Sequence, residues 1–245
     1  MKTILITGCS SGFGLETARH FLERDWNVIA TMRVPRADLL PASPRLRMLP
    51  LDVADADSIA RLVAAAGPID VLVNNAGIGA LGALESVDMA TVREVFETNV
   101  FGTIAMTQAL LPQFRQRRAG VVINVTSSVT LKSLPLLSVY TGSKAAVNAF
   151  TESLALELAA FDVRAHLVLP GRAPSTSFGA NARERLQTHQ AYAELTQSIF
   201  AGWAQSTEAV TEAGDVAEAV WRAATDAAAP LRIAAGADAV ALMPD

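Results

Sequence analysis

Cysteine, histidine, lysine and tyrosine are all scarce in this chain, and each scarcity narrows what the protein is able to be. Cys9 is the sole cysteine among 245 residues, which excludes an intramolecular disulfide and any multi-cysteine metal site and fits a reducing compartment. The three histidines, His20, His166 and His189, stand far apart in none of the usual ligand spacings, so no metal is expected. No apolar run approaches the ~18 residues that a membrane span needs. The opening MKTILITGCSS resembles a secretory start only in its lysine, because the apolar run stops at a glycine turn with no small-residue cleavage pattern. The expected location is cytoplasmic, with no membrane partner. A basic excess is missing too: at a net charge of -4, no field is available to attract nucleic acid.

What is present is apolar and rhythmic. Apolar residues make up 51% of the chain, enough for a substantial core, and this length suits one α/β domain spanning 1–245. Short apolar runs at 3–7, 27–32, 45–52, 69–75, 120–127, 163–170 and near 231–235 read as strands. Between them lie helical patterns at 14–25, 55–66, 89–117, 139–160 and 215–225, so the expectation is a parallel sheet of about seven strands with helices on both faces. One segment breaks the rhythm: 171 to about 212 is too long for a simple connection and carries Phe178, Tyr192, Ile199, Phe200 and Trp203. Long insertions of this kind commonly close over a site, and a substrate lid is expected here.

Two local patterns carry chemistry. TGCSSGFG (7–14) joins the first strand to the first helix, where glycines admit a ligand close to the backbone and the helix N-terminus offers free N–H groups to a pyrophosphate. The spacing differs from G-x-G-x-x-G, and an ordinary strand-to-helix turn remains the alternative. In VYTGSKAAV (139–147), one of only two tyrosines precedes one of only three lysines by four residues, which places Tyr140 and Lys144 on one helix face. A phenol with a pKa near ~10 exchanges its proton poorly at neutral pH, and a neighbouring ammonium favours the phenolate. The expectation is that Lys144 lowers the Tyr140 pKa and makes it a general acid and base, the alternative being a surface contact. Near the end of the second strand, Arg33 and Arg36 stand with no acid before Asp38. An arginine there suits the 2′-phosphate of NADP where a carboxylate suits NAD, so Arg33 predicts NADP(H), with NAD(H) possible.

Together TGCSSGFG, LDV (51–53), NNAG (74–77), NVFG (99–102), TSS (126–128), YTGSK (140–144) and PG (170–171) resemble the short-chain dehydrogenase/reductase family, in order and approximate spacing across nearly the whole chain. The resemblance implies a Rossmann-like doubly wound fold and a homodimer or homotetramer, which the apolar helices at 89–117 and 139–160 also suggest. For the cofactor it implies Gly8, Ser10, Ser11, Gly12, Phe13 and Gly14 at the phosphates, and Asp52 and Val53 at the adenine. Asn74, Ala76, Gly77, Pro170 and Gly171 would line the cleft, and Ser175 or Thr176 would sit at the nicotinamide carboxamide. Tyr140 and Lys144 contact the cofactor as well, Lys144 through the ribose. For catalysis the resemblance adds Ser127 to orient the substrate oxygen, with Ser128 as the second choice, and Asn99 to hold a water that links Lys144 to solvent. An NADPH-dependent reductase of a small apolar ketone or aldehyde is implied, with Leu131, Leu134, Leu136 and Leu137 suggesting the apolar character. A cofactor-binding sensor without turnover, or a lyase, epimerase or dehalogenase on the same scaffold, are the rival readings.

Overall fold

In the computed structural model, which describes residues 1–243, the first strand, β1 (Thr3–Ile6), lies inside a seven-stranded sheet, third from one edge. After α1 (Gly12–Leu22) the chain adds β2 (Asn27–Met32) and β3 (Leu46–Pro50) on one side. It then crosses through α2 (Ala56–Ala66) to β4 (Val71–Asn74) on the other side of β1. Next come α3 (Met89–Phe96), α4 (Gly102–Arg117), β5 (Gly120–Val125), α5 (Ser138–Ala159) and β6 (Val163–Pro170). The chain continues through α6 (Phe178–Glu184), α7 (Ala193–Gln205) and α8 (Ala213–Thr225) to β7 (Arg232–Ala235) and the single turn α9 (Ala237–Val240). The order is β3-β2-β1-β4-β5-β6-β7 and every pairing is parallel, the parallel sheet that the strand and helix rhythm predicts, in the Rossmann-like single-domain arrangement that the resemblance implies. The order reverses between β1 and β4, and a doubly wound sheet opens a crevice at the carboxyl ends of its strands at that point.

Near-continuous apolar strands are required because both faces are covered. Ile4, Ile6, Val71, Val73, Val121 and Ile123 point to a core beneath α1 and α8, where Phe21, Trp26 and Trp221 meet at ring separations of 5.1 to 5.9 Å. The alternate residues Leu5, Leu72 and Val122 point to the opposite core, filled from α2, α4 and α5 by Leu62, Met106, Leu110, Phe114 and Leu158.

The predicted helix over 89–117 is continuous, but Glu97–Phe101 widens into a π turn between α3 and α4. The aperiodic segment after β6 is largely helical: α6 and α7 fold back over the carboxyl ends of the strands. Outside the sheet, Phe101 and Leu156 leave 55% and 81% of their surfaces exposed beside α4 and on α5.

Candidate active site

The turn after β1 is built for close approach. Gly8 holds φ at +74°, a region that side chains rarely adopt, and a Cβ there would stand 2.8 Å from the Ala76 Cα. A Cβ on Gly14 would collide with the Gly8 carbonyl. Thr7 ties the ends of the two central strands together: its hydroxyl accepts the Asn75 and Ala76 N–H groups at 3.0 and 2.9 Å. The first turn of α1 carries no acidic side chain, and the N-cap Ser11 makes no capping bond with its own hydroxyl, so the helix start keeps donors for an anion. Arg36 donates to the Ser10 carbonyl at 3.3 Å and braces the turn from outside.

A cleft of about 260 Å³ runs from this turn across the sheet ends. Gly8, Ser10, Ser11, Gly12, Phe13, Arg33, Asp52, Val53, Ala76, Gly77 and Thr176 all line it, while Gly14 sits just behind, in the first turn of α1. Asn74 does not belong to this group. Its buried amide donates to Thr107 Oγ1 at 3.0 Å and Asn124 Oδ1 at 2.8 Å, deep beneath the sheet ends. It is Asn75 that faces the cleft, donating to the Thr7 and Gly8 carbonyls at 2.9 and 3.1 Å. Ser175 is likewise turned away, its hydroxyl donating to Glu212 at 3.0 Å, whereas Thr176 lines the cleft and the cavity beyond it.

That second cavity, of about 810 Å³, is walled by Leu134, Leu137, Phe178 and Trp203 and shares Phe13, Asn75, Gly77, Thr176 and Phe178 with the cleft. Pro170 and Gly171 line it rather than the cleft. Ser127, Tyr140 and Lys144 stand on its wall, close to where the two spaces join. Ser127 and Ser128 both line the cavity, and it is Ser127 whose hydroxyl favours the ionised form of the phenol. Lys144 Nζ donates to the Val125 carbonyl at 3.0 Å and sits 5.9 Å from the centre of the Tyr140 ring. The π turn aims Asn99 at the same place. Its side chain bonds both backbone groups of Ile78, at 2.8 and 2.9 Å, and donates to Ser143 Oγ at 3.0 Å. A Cβ on Gly77 would stand 3.2 Å from Asn99 Oδ1 and 3.3 Å from Lys144 Nζ, so these two side chains are neighbours.

The electrostatics depart from expectation. Burial pushes the Tyr140 phenol above its usual value, with Ser127 pulling it the other way, and Lys144 makes no hydrogen bond to it. The ammonium lies over the ring and is bonded to a backbone carbonyl instead, so desolvation outweighs it. The same burial lowers Lys144 to about 8.

The segment after β6 closes over both spaces. Phe178 packs on Tyr140 with ring centres 5.3 Å apart, and Ser11 and Ser177 hydroxyls meet at 2.8 Å. Arg185, beyond α6, pairs with Glu94 of α3 at 2.9 Å, and both line the cleft. Gln187 exchanges bonds with Asp88 at 2.8 and 3.0 Å. Asn75, Glu94 and Arg185 were not singled out from sequence. Asn75 had a signal, since it lies inside NNAG, but Arg185 meets Glu94 across 91 positions and nothing local marks either. Among the described residues no cluster of three or more His, Cys, Asp or Glu is placed to hold a metal, and no helix is long and apolar enough to cross a membrane.

Residues 2–187 match the family described as short chain dehydrogenase. Human retinol dehydrogenase 8 is 39% identical over 181 residues, 69% of this chain and 58% of that protein, so the match spans less than two thirds of its length. Among solved structures, a short-chain dehydrogenase from Streptomyces avermitilis superposes with a TM-score of 0.83 at 34% identity, covering 98% of this chain and 90% of that one. The closed form of serine dehydrogenase complexed with NADP+ superposes with a TM-score of 0.80 at 28% identity, over 96% of this chain and 94% of that one.

Proposed function

The chain belongs to the short-chain dehydrogenase family, and from that we propose that it is an oxidoreductase that reduces a ketone or aldehyde to an alcohol with NADPH, reversibly. One observation carries the reading: Ser127, Tyr140 and Lys144 meet on the wall of an apolar cavity beside the cleft behind the glycine turn. The cleft suits a dinucleotide. Gly8 and Gly14 leave no room for side chains of their own, and the α1 N-terminus offers its N–H groups where a pyrophosphate would lie. Asp52 and Val53 would border the adenine, Ala76 and Gly77 the middle of the cofactor, and Thr176 its carboxamide, in place of Ser175. When bound, the nicotinamide exchanges a hydride with the carbonyl carbon.

The remaining steps fall to the chain. The Ser127 hydroxyl holds the carbonyl oxygen, and Tyr140 donates its proton to that oxygen as negative charge builds on it. Lys144, with a value of about 8, is mostly cationic at neutral pH and holds the ribose. The Ser127 hydroxyl offsets part of the burial that disfavours the Tyr140 phenolate. Asn99 has both amide donors taken by Ile78 and Ser143, but its Oδ1 keeps a lone pair near Lys144 that would accept a water returning the proton. Phe178 and the segment at 171–212 act as the lid that keeps bulk water from the reacting atoms.

The test is oxidation of NADPH and NADH followed spectroscopically against aldehydes, aliphatic and aryl ketones and ketoesters. Turnover supports the enzyme, whereas tight cofactor binding with no turnover on any carbonyl would favour a sensor.

Arg33 on the cleft wall supplies the cation for the 2′-phosphate. A charge-assisted hydrogen bond is worth about 1.5–3 kcal/mol, so Arg33→Asp should lower the NADPH-over-NADH preference in kcat/KM by at least about tenfold. An unchanged preference would remove Arg33 from this role. We expect self-association through the outer side of α4 and α5, a reading supported by the exposed Phe101, just before α4, and Leu156 on α5. Light scattering at micromolar concentration should give a dimer or tetramer, and a strictly monomeric mass would contradict the placement.

A further inference from the structure

The wall of the larger cavity runs against the sign of the chain. Although the net charge is -4, Lys132, Lys144, Arg172 and Arg183 line this cavity against two carboxylates, Glu208 and Asp238. Lys144 belongs to the reaction centre. The other three cations take part in no ion pair among the described residues.

Arg172 is the best fixed of them. Its backbone N–H donates to Asp238 Oδ2 at 2.6 Å, and its carbonyl accepts the Thr211 N–H at 2.8 Å. Its guanidinium makes only long bonds, to the Trp203 carbonyl at 3.3 Å and Ser206 Oγ at 3.2 Å, which orient the group without neutralising it. The nearby Asp238 carboxylate is taken up by the loop itself, with Oδ1 bonded to the Thr211 hydroxyl at 2.7 Å. A guanidinium has more donors than the two used here, in a fork that matches a carboxylate. Half-buried beside an apolar wall, such a charge is less screened than in water, and an anion reaching it gains accordingly. Lys132 and Arg183 are exposed on the same wall, Arg183 resting 5.5 Å from the centre of the Phe200 ring, and add to the field that an incoming anion meets.

Resting on the carbonyl-reductase reading, we propose that the substrate is amphipathic: an apolar chain that bears the reactive carbonyl and ends in a carboxylate, which Arg172 receives while Lys132 and Arg183 draw it in. The apolar stretch between the two ends lies against Leu134, Leu137, Phe178 and Trp203.

The test compares oxo-carboxylic acids of increasing chain length between carbonyl and carboxylate with their methyl esters, at saturating NADPH. At one chain length the acid should exceed its ester in kcat/KM by about tenfold or more, mainly through KM, and the advantage should shrink with added salt. Arg172→Gln should bring the acid-to-ester ratio close to one. If that variant fails to fold, Lys132→Gln and Arg183→Gln should each lower the ratio and weaken its salt dependence. Equal or better turnover of the ester at every length in the wild-type protein would overturn the proposal and leave the reductase standing. Absence of turnover on every carbonyl would remove the reductase reading and the proposal with it.

Discussion

Tyr140→Phe should lower carbonyl turnover by about 10²–10⁴-fold, the usual contribution of a positioned general acid, while cofactor affinity stays within about twofold. The substitution is clean because the ring does the packing and only the hydroxyl is removed. Tyr140 is 6% exposed, held against Phe178 at 5.3 Å, and a phenylalanine keeps both its volume and that contact. What disappears is the O–H beside Ser127, the group able to deliver a proton to an oxygen held by the serine. Steady-state rates measured beside a fluorescence titration of NADPH separate the two effects. A variant that kept more than about a tenth of the wild-type kcat would show that the proton comes from elsewhere, and Ser127 would become the group to examine.

Lys144→Met should change how stability depends on pH by roughly 3 kcal/mol. In the unfolded chain a lysine keeps its proton up to about pH 10.4, but burial brings the folded value down to about 8. Between those values the unfolded state binds more protons than the folded one, so stability rises with pH across the window and this contribution is lost as pH falls through about 8. The methionine variant lacks that rise. Cys9 works in the opposite direction, because burial holds its thiol up to about 12 in the folded protein while the unfolded thiol ionises near ~8.5. That opposing term is present in both proteins and cancels in their difference. Urea unfolding of the pair at about pH 7.5 and about pH 10.5 gives the difference directly, and parallel stability curves would mean that the amine is not desolvated as its surroundings imply.

Much of the site was legible because its residues sit at the ends of strands whose apolar runs are unmistakable. TILI, VLVN and GVVINV are buried on both faces, and the polar residues that follow them have only the crevice to enter. What could not be read was direction. NNAG places two asparagines at the end of β4, and only the packing under the sheet, with Thr107 and Asn124 waiting for an amide, sends Asn74 inward and leaves Asn75 in the cleft. RAPST is similar: Glu212 draws Ser175 outward, so the cleft receives Thr176. The influence of Lys144 on Tyr140 was legible as proximity along a helix but not as a balance of energies, because that balance depends on how dry the pocket is and on the Val125 carbonyl that takes the ammonium. The contacts of Arg185 and Gln187 with Glu94 and Asp88 join residues 91 and 99 positions apart, and periodicity has nothing to say about them.

The π turn at Glu97–Phe101 also acts as a phase shifter. An α-helix advances by about 100° per residue, so the extra residue that the wider turn absorbs sets the rotational phase of everything after it. Met106, Leu110 and Phe114 face the core in that phase. A chain shortened by one residue within 97–101 could wind as an ordinary helix, and the remainder of α4 would then present a different stripe to the sheet while Asn99 lost its aim at Ile78. Length in this five-residue stretch is therefore constrained from two sides, by the site and by the core, whereas the exposed connection at 33–38 answers to neither core.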